Sequence, residues 1–292
     1  MPPINLFISL IFLFWGCAEP TFTQPPPSTL QFGTNETLDI ITWNIENFPK
    51  LNSLTVNYLS QLIIELDVDI VALQEIGNDT YFNNLVNSLD GWDGERTGGS
   101  YGLAYLYKSD LNILDIYEID ELNEYEFSRT PYMLAVNWFN EIIYIINNHY
   151  KCCGDGSINY SNSSDEEYRR LRSIQMTKTY LDTFYTHKSV VVLGDMNDEL
   201  NDSESNNVFI EFLEDTNYYF TDYNIAFGNS SYWSFPTWPS HLDHILITNE
   251  LYDNHDTTFT ILTETFFSGG WAEYDDVISD HRPLGIRLKI EN

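Results

Sequence analysis

Positive charge is scarce in this chain of 292 residues, where 13 Lys and Arg stand against 44 Asp and Glu for a formal charge of −31. Such a surface repels polyanions over most of its extent, which disfavours broad electrostatic binding of nucleic acid. A polyanionic partner is left only a local site where metal ions and a few basic side chains reverse the sign. Cysteine is scarce too, with three in all. Neither a second cysteine pair nor a spaced histidine cluster accompanies Cys152 and Cys153, so no zinc site is expected. Adjacent cysteines cannot form a long-range staple; a strained vicinal disulfide and two reduced loop thiols are both open readings. No internal repeat and no break in composition divides the chain.

What is present argues for a folded protein: 43% hydrophobic and 15% aromatic content is enough to bury a substantial core. Residues 1–16 contain the uncharged run INLFISLIFLFWG, too short for a comfortable membrane span and ending at Cys17. Residues 1–17 therefore read as an export signal. A small residue followed by Cys resembles the bacterial lipoprotein processing site, which would lipidate Cys17 and anchor the chain to membrane at the cell envelope. Trp15 and the absence of Lys or Arg from the first residues depart from that pattern, and an ordinary cleaved signal or a retained anchor is the alternative. Residues 18–35, with Pro25, Pro26 and Pro27, suit an extended tether. Folding is expected from near Glu36, giving one domain over residues 36–292.

Short apolar runs alternate with amphipathic stretches. Strands are expected at Leu38 to Trp43, Asp69 to Gln74, Gly102 to Tyr107, Ile113 to Glu118, Tyr132 to Trp138 and Ile142 to Asn147. Further strands are expected at Val190 to Leu193, His241 to Ile247, Thr257 to Leu262 and Leu284 to Ile290. Leu59, Leu62, Ile63 and Leu66 share one helical face after a cap at Asn52 or Ser53, and Leu171, Ile174, Lys178, Leu181 and Tyr185 mark a second helix. The pattern implies one α/β domain with mixed sheets and helices outside.

Polar residues sit at the ends of those apolar runs, where a sheet holds side chains stiffly at the edge of solvent. Asn44 follows IITW, Glu75 follows IVALQ, His149 follows IYIINN, Asp195 and Asn197 follow VVVLG, and Asp280 with His281 precedes the final strand. Each alone has an ordinary explanation as a turn, a cap or a hydrogen-bonded neighbour. Together, Asn44, Glu75, Asp195, Asn197 and Asp280 supply hard oxygen ligands, while His149 and His281 supply proton-handling groups. That is the inventory of a metal hydrolase.

The order and wording of these segments, ITWNIENF, ALQEI, SRTP, NNHYK, VVLGDMND, HLDHILI and SDHRPL, resemble the successive signatures of the endonuclease/exonuclease/phosphatase superfamily. Pancreatic-type deoxyribonucleases, abasic-site endonucleases, neutral sphingomyelinases and inositol polyphosphate 5-phosphatases belong to it. The match runs from Ile41 to Leu284, and GDMND with SDHRP after an upstream QE is its most specific part. The resemblance implies a four-layer sandwich of two packed mixed β-sheets flanked by helices, as in deoxyribonuclease I. It also implies roles. Glu75 is the principal ligand of Mg²⁺ or Mn²⁺, with Asn44 and Asp280 in the same metal neighbourhood. Asp195 and Asn197 serve the phosphate and a second metal, if there is one. His281 is the general base on the attacking water, oriented by Asp243, with His149 and Asn197 as donors and Arg129 on phosphate. His244, beside Asp243, is read as packing.

The resemblance leaves the substrate open, because one metal site serves nucleic acids, lipids and soluble phosphates alike. Arg129, Lys151, Arg169, Arg170, Arg172 and Arg282 lie in or beside the motifs, so much of the scarce positive charge is expected at one cleft, with Arg172 instead pairing with carboxylates. Arg169 and Arg170, near a helix start, are candidates for a phosphate backbone, with pairing to Glu166 and Glu167 as the rival. Trp233, Phe235 and Trp238 offer a stacking platform, a lipid contact or simple core closure. The motif wording favours a nuclease; a phospholipid head-group phosphodiesterase, a soluble phosphomonoesterase and a surface binding lipoprotein with a decayed site are the alternatives.

Overall fold

A computed structural model describes residues 30–289. The strands are β1 (Leu38–Phe48), β2 (Ile70–Ile76), β3 (Trp92–Arg96), β4 (Gly102–Lys108), β5 (Asn112–Glu118) and β6 (Tyr132–Trp138). They continue as β7 (Glu141–His149), β8 (Ser189–Asp195), β9 (Tyr218–Phe220), β10 (Asp243–Thr248), β11 (His255–Thr260) and β12 (Leu284–Leu288). The helices are α1 (Ser53–Leu66), α2 (Asp79–Ser88), α3 (Glu166–Phe184), α4 (Ile210–Leu213), α5 (Tyr223–Ala226) and α6 (Trp271–Val277).

The strands form two six-stranded sheets, ordered β11-β12-β1-β2-β4-β3 and β5-β6-β7-β8-β10-β9. Each sheet holds one parallel pair, β1 with β2 and β7 with β8, and its other pairings are antiparallel. The parallel pairs are those whose connection carries a long helix, α1 or α3, as a crossover between parallel neighbours requires. Alternation along each strand then splits the core into layers. Leu38, Ile40, Ile70 and Ala72 of the first sheet meet Leu134, Ile145, Val191 and Ile245 of the second. The opposite faces pack Ile41, Val71 and Leu73 against Leu59, Leu62 and Ile63 of α1, and Ile146, Val190 and Val192 against Ile174 and Leu181 of α3. The four-layer sandwich expected from the resemblance is the fold.

Local details differ from the sequence reading. The ordered core begins before Glu36: Leu30 and Phe32 are buried, and Phe32 O accepts from Arg287 Nε at 2.8 Å. Asn52 precedes α1 without a side-chain cap and with φ of 54°, whereas Asp165 caps α3 by accepting from Tyr168 N at 2.9 Å. β10 starts at Asp243 rather than His241, and β11 starts at His255. The export signal, Cys17 and most of the tether lie outside the described residues. Among the described residues no helix is long and apolar enough to cross a membrane.

Candidate active site

Strand direction explains why distant motifs meet. β1 and β2 run parallel with Asn44 beside Gln74, so Asn44 and Glu75 leave the first sheet at one edge. β7 and β8 are parallel with His149 beside Asp195, and antiparallel β10 starts with Asp243 opposite Asp195. β12 is antiparallel to β1, with Leu284 beside Thr42, so Asp280 and His281 arrive at the same edge from the other direction.

Two backbone devices aim these side chains. Glu75 sits at a register shift between β2 and β4 with φ of 63°, a left-handed conformation that costs a non-glycine residue about 1–3 kcal/mol. Ahead of Asp195, Gly194 has φ of 141°, and a Cβ there would lie 2.0 Å from Asn148 O. Only glycine lets β8 pass so close to β7 at that point.

Asn44 Nδ2 donates to Asp195 Oδ2 at 2.8 Å and lies 3.4 Å from Glu75 Oε1. His149 Nε2 lies 3.5 Å from Asp195 Oδ2 and 3.9 Å from Glu75 Oε1. On the other side, His281 Nδ1 and Asp243 Oδ2 are 2.7 Å apart, leaving His281 Nε2 3.9 Å from both Asp195 Oδ2 and Asp280 Oδ1. The His281 loop is held firmly. Ser279 Oγ donates to Asn44 O at 2.6 Å and accepts from His281 N at 2.9 Å, while Tyr274 OH and Trp43 Nε1 donate to His281 O. Phe235 covers the ring with centroids 4.9 Å apart.

The electrostatics are those of crowded acids. Burial raises the Asp195 carboxyl to about 7 and, despite the pull of His281, Asp243 and Glu75 add to the rise. Burial likewise raises Asp280 to about 6. Burial alone would lower His281, but Asp243 and Asp195 outweigh it and raise the imidazolium to about 10. His149 goes the other way: burial, with Arg129 and His281 nearby, holds it well below the ordinary histidine value, so it is a neutral ring. Carboxylates this close favour a cation, and Asp195, Asp243 and His281 offer ligand atoms within 4.8 Å of one another.

Beside the site lies a groove of about 590 Å³ lined by Ser100, Tyr101, Tyr125, Ser128, Arg129 and Arg169. Arg129 stacks over Tyr101 at 5.4 Å and Arg169 over Tyr125 at 4.5 Å. Burial lowers the Arg129 pKa, and the Glu75 and Asp195 carboxylates oppose that shift, which places this guanidinium at the junction of groove and site.

The sequence model of the Endonuclease/Exonuclease/phosphatase family matches residues 41–281, a span containing every one of these residues. The chain belongs to this family. Its members are hydrolytic phosphoesterases. No curated protein sequence matches the chain. Among solved structures, D. rerio TDP2 complexed with single strand DNA product is 14% identical, covering 88% of this chain and 100% of that one with a TM-score of 0.66. The human Nocturnin catalytic domain with bound sulfate is 16% identical over 87% and 94%, with a TM-score of 0.62. A Bacteroides vulgatus endonuclease/exonuclease/phosphatase is 13% identical over 87% and 99%, with a TM-score of 0.63. At such identities these likenesses show the shared fold.

Within this family member, the sequence-selected residues Asn44, Glu75, His149, Asp195, Asp243, Asp280 and His281 converge where the ends of strands from both sheets meet. Asn197 is at its rim, with φ of 54° and Nδ2 donating to Tyr150 O at 3.3 Å. Arg129 and Arg169 line the groove, but Arg170 does not. Its side chain is buried, donating 2.7 Å bonds to Asp198 Oδ2, Lys151 O and Cys153 O, with Glu167 at 3.5 Å. The phosphate-contact reading of Arg170 is therefore withdrawn: every direction of its guanidinium is taken by the protein. Arg282 is paired with Glu264 at 2.6 Å, and Arg172 donates to Gln175 rather than to a carboxylate. His244 is buried against Asp222 at 2.7 Å and Asp198 O at 2.9 Å, a packing role.

The sequence reading missed Glu46, which accepts from Asp280 N at 3.1 Å and adds a carboxylate to this edge. It also missed Ser234, whose hydroxyl accepts from Asp243 N at 3.2 Å and whose carbonyl accepts from Arg282 N at 2.8 Å, tying together the loops that carry the Asp243–His281 pair. The groove tyrosines carried no motif signal.

Proposed function

We propose that this chain is a divalent-metal-dependent phosphodiesterase that cleaves nucleic acid, single strands fitting best, by in-line attack of a water activated by His281. The observation that carries the reading is the Asp243–His281 pair, whose free Nε2 faces Asp195 across 3.9 Å beside the Asn44–Glu75 contact. Glu75, with Asn44 and Asp280, suits Mg²⁺ or Mn²⁺, because these are hard oxygen donors in a cluster whose excess negative charge calls for a cation. A divalent cation held there would supply charge neutralisation for the phosphoryl and leaving oxygens and would offset the carboxylates that surround His281.

The remaining work falls to side chains. His281 Nε2 accepts the proton of the attacking water while Asp243 fixes the ring through Nδ1 and stabilises the cation that results. His149, neutral, and Asn197 donate to the phosphoryl oxygens, and Asp195 holds Asn44 in place. Arg129 meets a non-bridging oxygen pair with its planar fork. Tyr101, Tyr125 and Arg169 extend the contact along a flexible strand, alternating ring faces for bases with charge for phosphates. The D. rerio TDP2 structure, solved with a single strand DNA product, supports this choice. A local basic groove on an acidic protein accommodates a short stretch of chain and disfavours processive binding.

A second reading, attack on phospholipid head groups, draws on Trp238, 75% exposed on the turn whose Phe235 covers His281. One experiment separates them. Single-stranded DNA, supercoiled plasmid and structured RNA are incubated with the protein in Mg²⁺, in chelator, and with His281→Ala. Metal-dependent cleavage lost in the variant supports the nuclease. No cleavage by a folded protein that binds Mg²⁺ rejects it, and release of phosphocholine from sphingomyelin vesicles would then establish the rival.

A further inference from the structure

Cys152 and Cys153 occupy the segment that follows β7, three residues beyond His149. Both are exposed and free, and the Cys153 thiol donates to Cys152 Sγ at 2.9 Å. Lys151 Nζ is 3.7 Å from Cys152 Sγ. Cys153 has φ of 73° and Gly154 φ of 113°, so the backbone turns sharply enough to bring successive side chains to the same side. The segment is also wired to the active site. Lys151 O and Cys153 O both accept from buried Arg170, and Tyr150 O accepts from the Asn197 side chain at 3.3 Å. Arg129, at the mouth of the groove, has Cys152 among its electrostatic neighbours.

We infer that Cys152 and Cys153 form a reversible modification site, closing to a vicinal disulfide by exchange with a small-molecule disulfide and thereby altering substrate entry beside Asn197 and Arg129. The chemistry balances in two displacements. Cys152 sulfur attacks one sulfur of the reagent, R–S–S–R, giving a mixed disulfide and expelling one RSH. Cys153 sulfur then attacks Cys152 sulfur and expels the second RSH. The two protein thiols are oxidised, the reagent is reduced, and their two protons leave on the two RSH molecules. Ring closure cannot be relaxed in geometry, because adjacent Cα atoms lie about 3.8 Å apart, short of the separation of about 4.4–6.8 Å that disulfides prefer. A strained, exposed disulfide is of the labile, easily reduced kind that suits reversible modification. Closure strains the Cys152–Cys153 peptide, whose Cys152 O accepts from Lys151 Nζ at 2.9 Å and which lies between the two flanking carbonyls, Lys151 O and Cys153 O, that Arg170 holds.

The full chain is treated with oxidised glutathione, blocked with iodoacetamide and digested with trypsin. Cleavage after Lys151 and Arg169 isolates both cysteines in one peptide free of Cys17. The expected product is that peptide about 2 Da below its dithiol mass and carrying no alkyl group, reverting to two alkylated thiols after dithiothreitol. Amide hydrogen exchange over residues 150–158 is expected to change on closure, and KM for single-stranded DNA to change about threefold or more. Cys152→Ser and Cys153→Ser should keep basal activity and lose both responses. A peptide that retains two alkylatable thiols, or carries only glutathione adducts or intermolecular bridges, overturns the site. Closure with unchanged exchange overturns the coupling. Only the KM measurement rests on the nuclease reading, so a failure of that reading leaves the mass and exchange results to decide.

Discussion

Gln74 and Asn147, one from each sheet, meet inside the sandwich, with Gln74 Nε2 donating to Asn147 Oδ1 at 2.7 Å. Asn147 Nδ2 then donates to Leu73 O at 3.0 Å and Ala104 O at 3.1 Å, so a side chain of the second sheet satisfies backbone of the first. Both residues are fully buried, and each directly precedes or nearly precedes a site residue, Glu75 or His149. The expected outcome of Asn147→Ala is a loss of about 2–3 kcal/mol, because buried donors and acceptors are left without partners. Denaturant unfolding should show a lower midpoint at an unchanged slope; an unchanged midpoint would show that the clamp contributes nothing.

His281→Ala should lower kcat by about 10²–10⁴ while leaving the far-ultraviolet circular dichroism spectrum intact. Asp243→Asn should fall within the same range, because an amide can still bond Nδ1 yet cannot stabilise the imidazolium. The double variant should be little worse than either single variant, as expected for residues acting as a unit. Full additivity of the two losses would argue against the pairing.

Metal binding is testable without any substrate. Mg²⁺ or Mn²⁺ at about 100 times its dissociation constant should stabilise the native chain by about 2.7 kcal/mol, read as a rise in Tm. Glu75→Gln should abolish the rise. Because the glutamine relieves carboxylate crowding, the apo form of this variant should be no less stable than apo wild type. A Tm that responds equally in both would move the metal away from Glu75.

Neighbouring arginines of α3 should behave differently. Arg169→Ala should raise KM for an oligonucleotide and leave hydrolysis of a small chromogenic diester unchanged, since its guanidinium faces the groove over Tyr125. Arg170→Ala should instead unfold more easily by about 3–5 kcal/mol, because it strands Glu167 and Asp198 as buried charges. Equal effects on KM and stability in the two variants would contradict the split.

Stability should also depend on pH through Asp39, a buried carboxyl that burial raises from 3.8 to about 6. A raised folded pKa means the native state holds the proton more tightly than the unfolded chain. Its contribution is therefore complete below about pH 3.8 and is lost as pH rises through about 6. Asp39→Asn should flatten the stability profile between those limits relative to wild type. An identical slope in the two proteins would place the titration elsewhere.

Much of this architecture was legible because apolar runs of four to seven residues ended in chemistry-bearing polar residues. Parallel and antiparallel pairing then needed only to bring those ends together. The elements that escaped notice have weak patterns. In α2 only Phe82 and Leu85 are buried, and β3 at the sheet edge is half exposed along its length. Arg170 was misread although its signal was present: it lies at helical spacing from Glu167, Ile174, Thr177 and Leu181, the buried stripe of α3, whereas Arg169 lies off that stripe. Glu46 and Gln74 lie within the segments ITWNIENF and ALQEI, but their partners were not legible, because a polar residue inside a motif looks like an ordinary strand end until the partner loop or sheet is in place.

β12 is the latest strand in chain order among the described residues, yet it lies inside its sheet, flanked by β1 and β11, and it is introduced by Asp280 and His281. A chain emerging from the ribosome can pair β1 with β2 and assemble the whole second sheet while this slot is still open. Until the slot is filled, the proposed base is missing, and Asp243 has no histidine to orient. Under the proposed mechanism, a molecule in which the β12 slot is unfilled would therefore hold its other site residues and still be inactive.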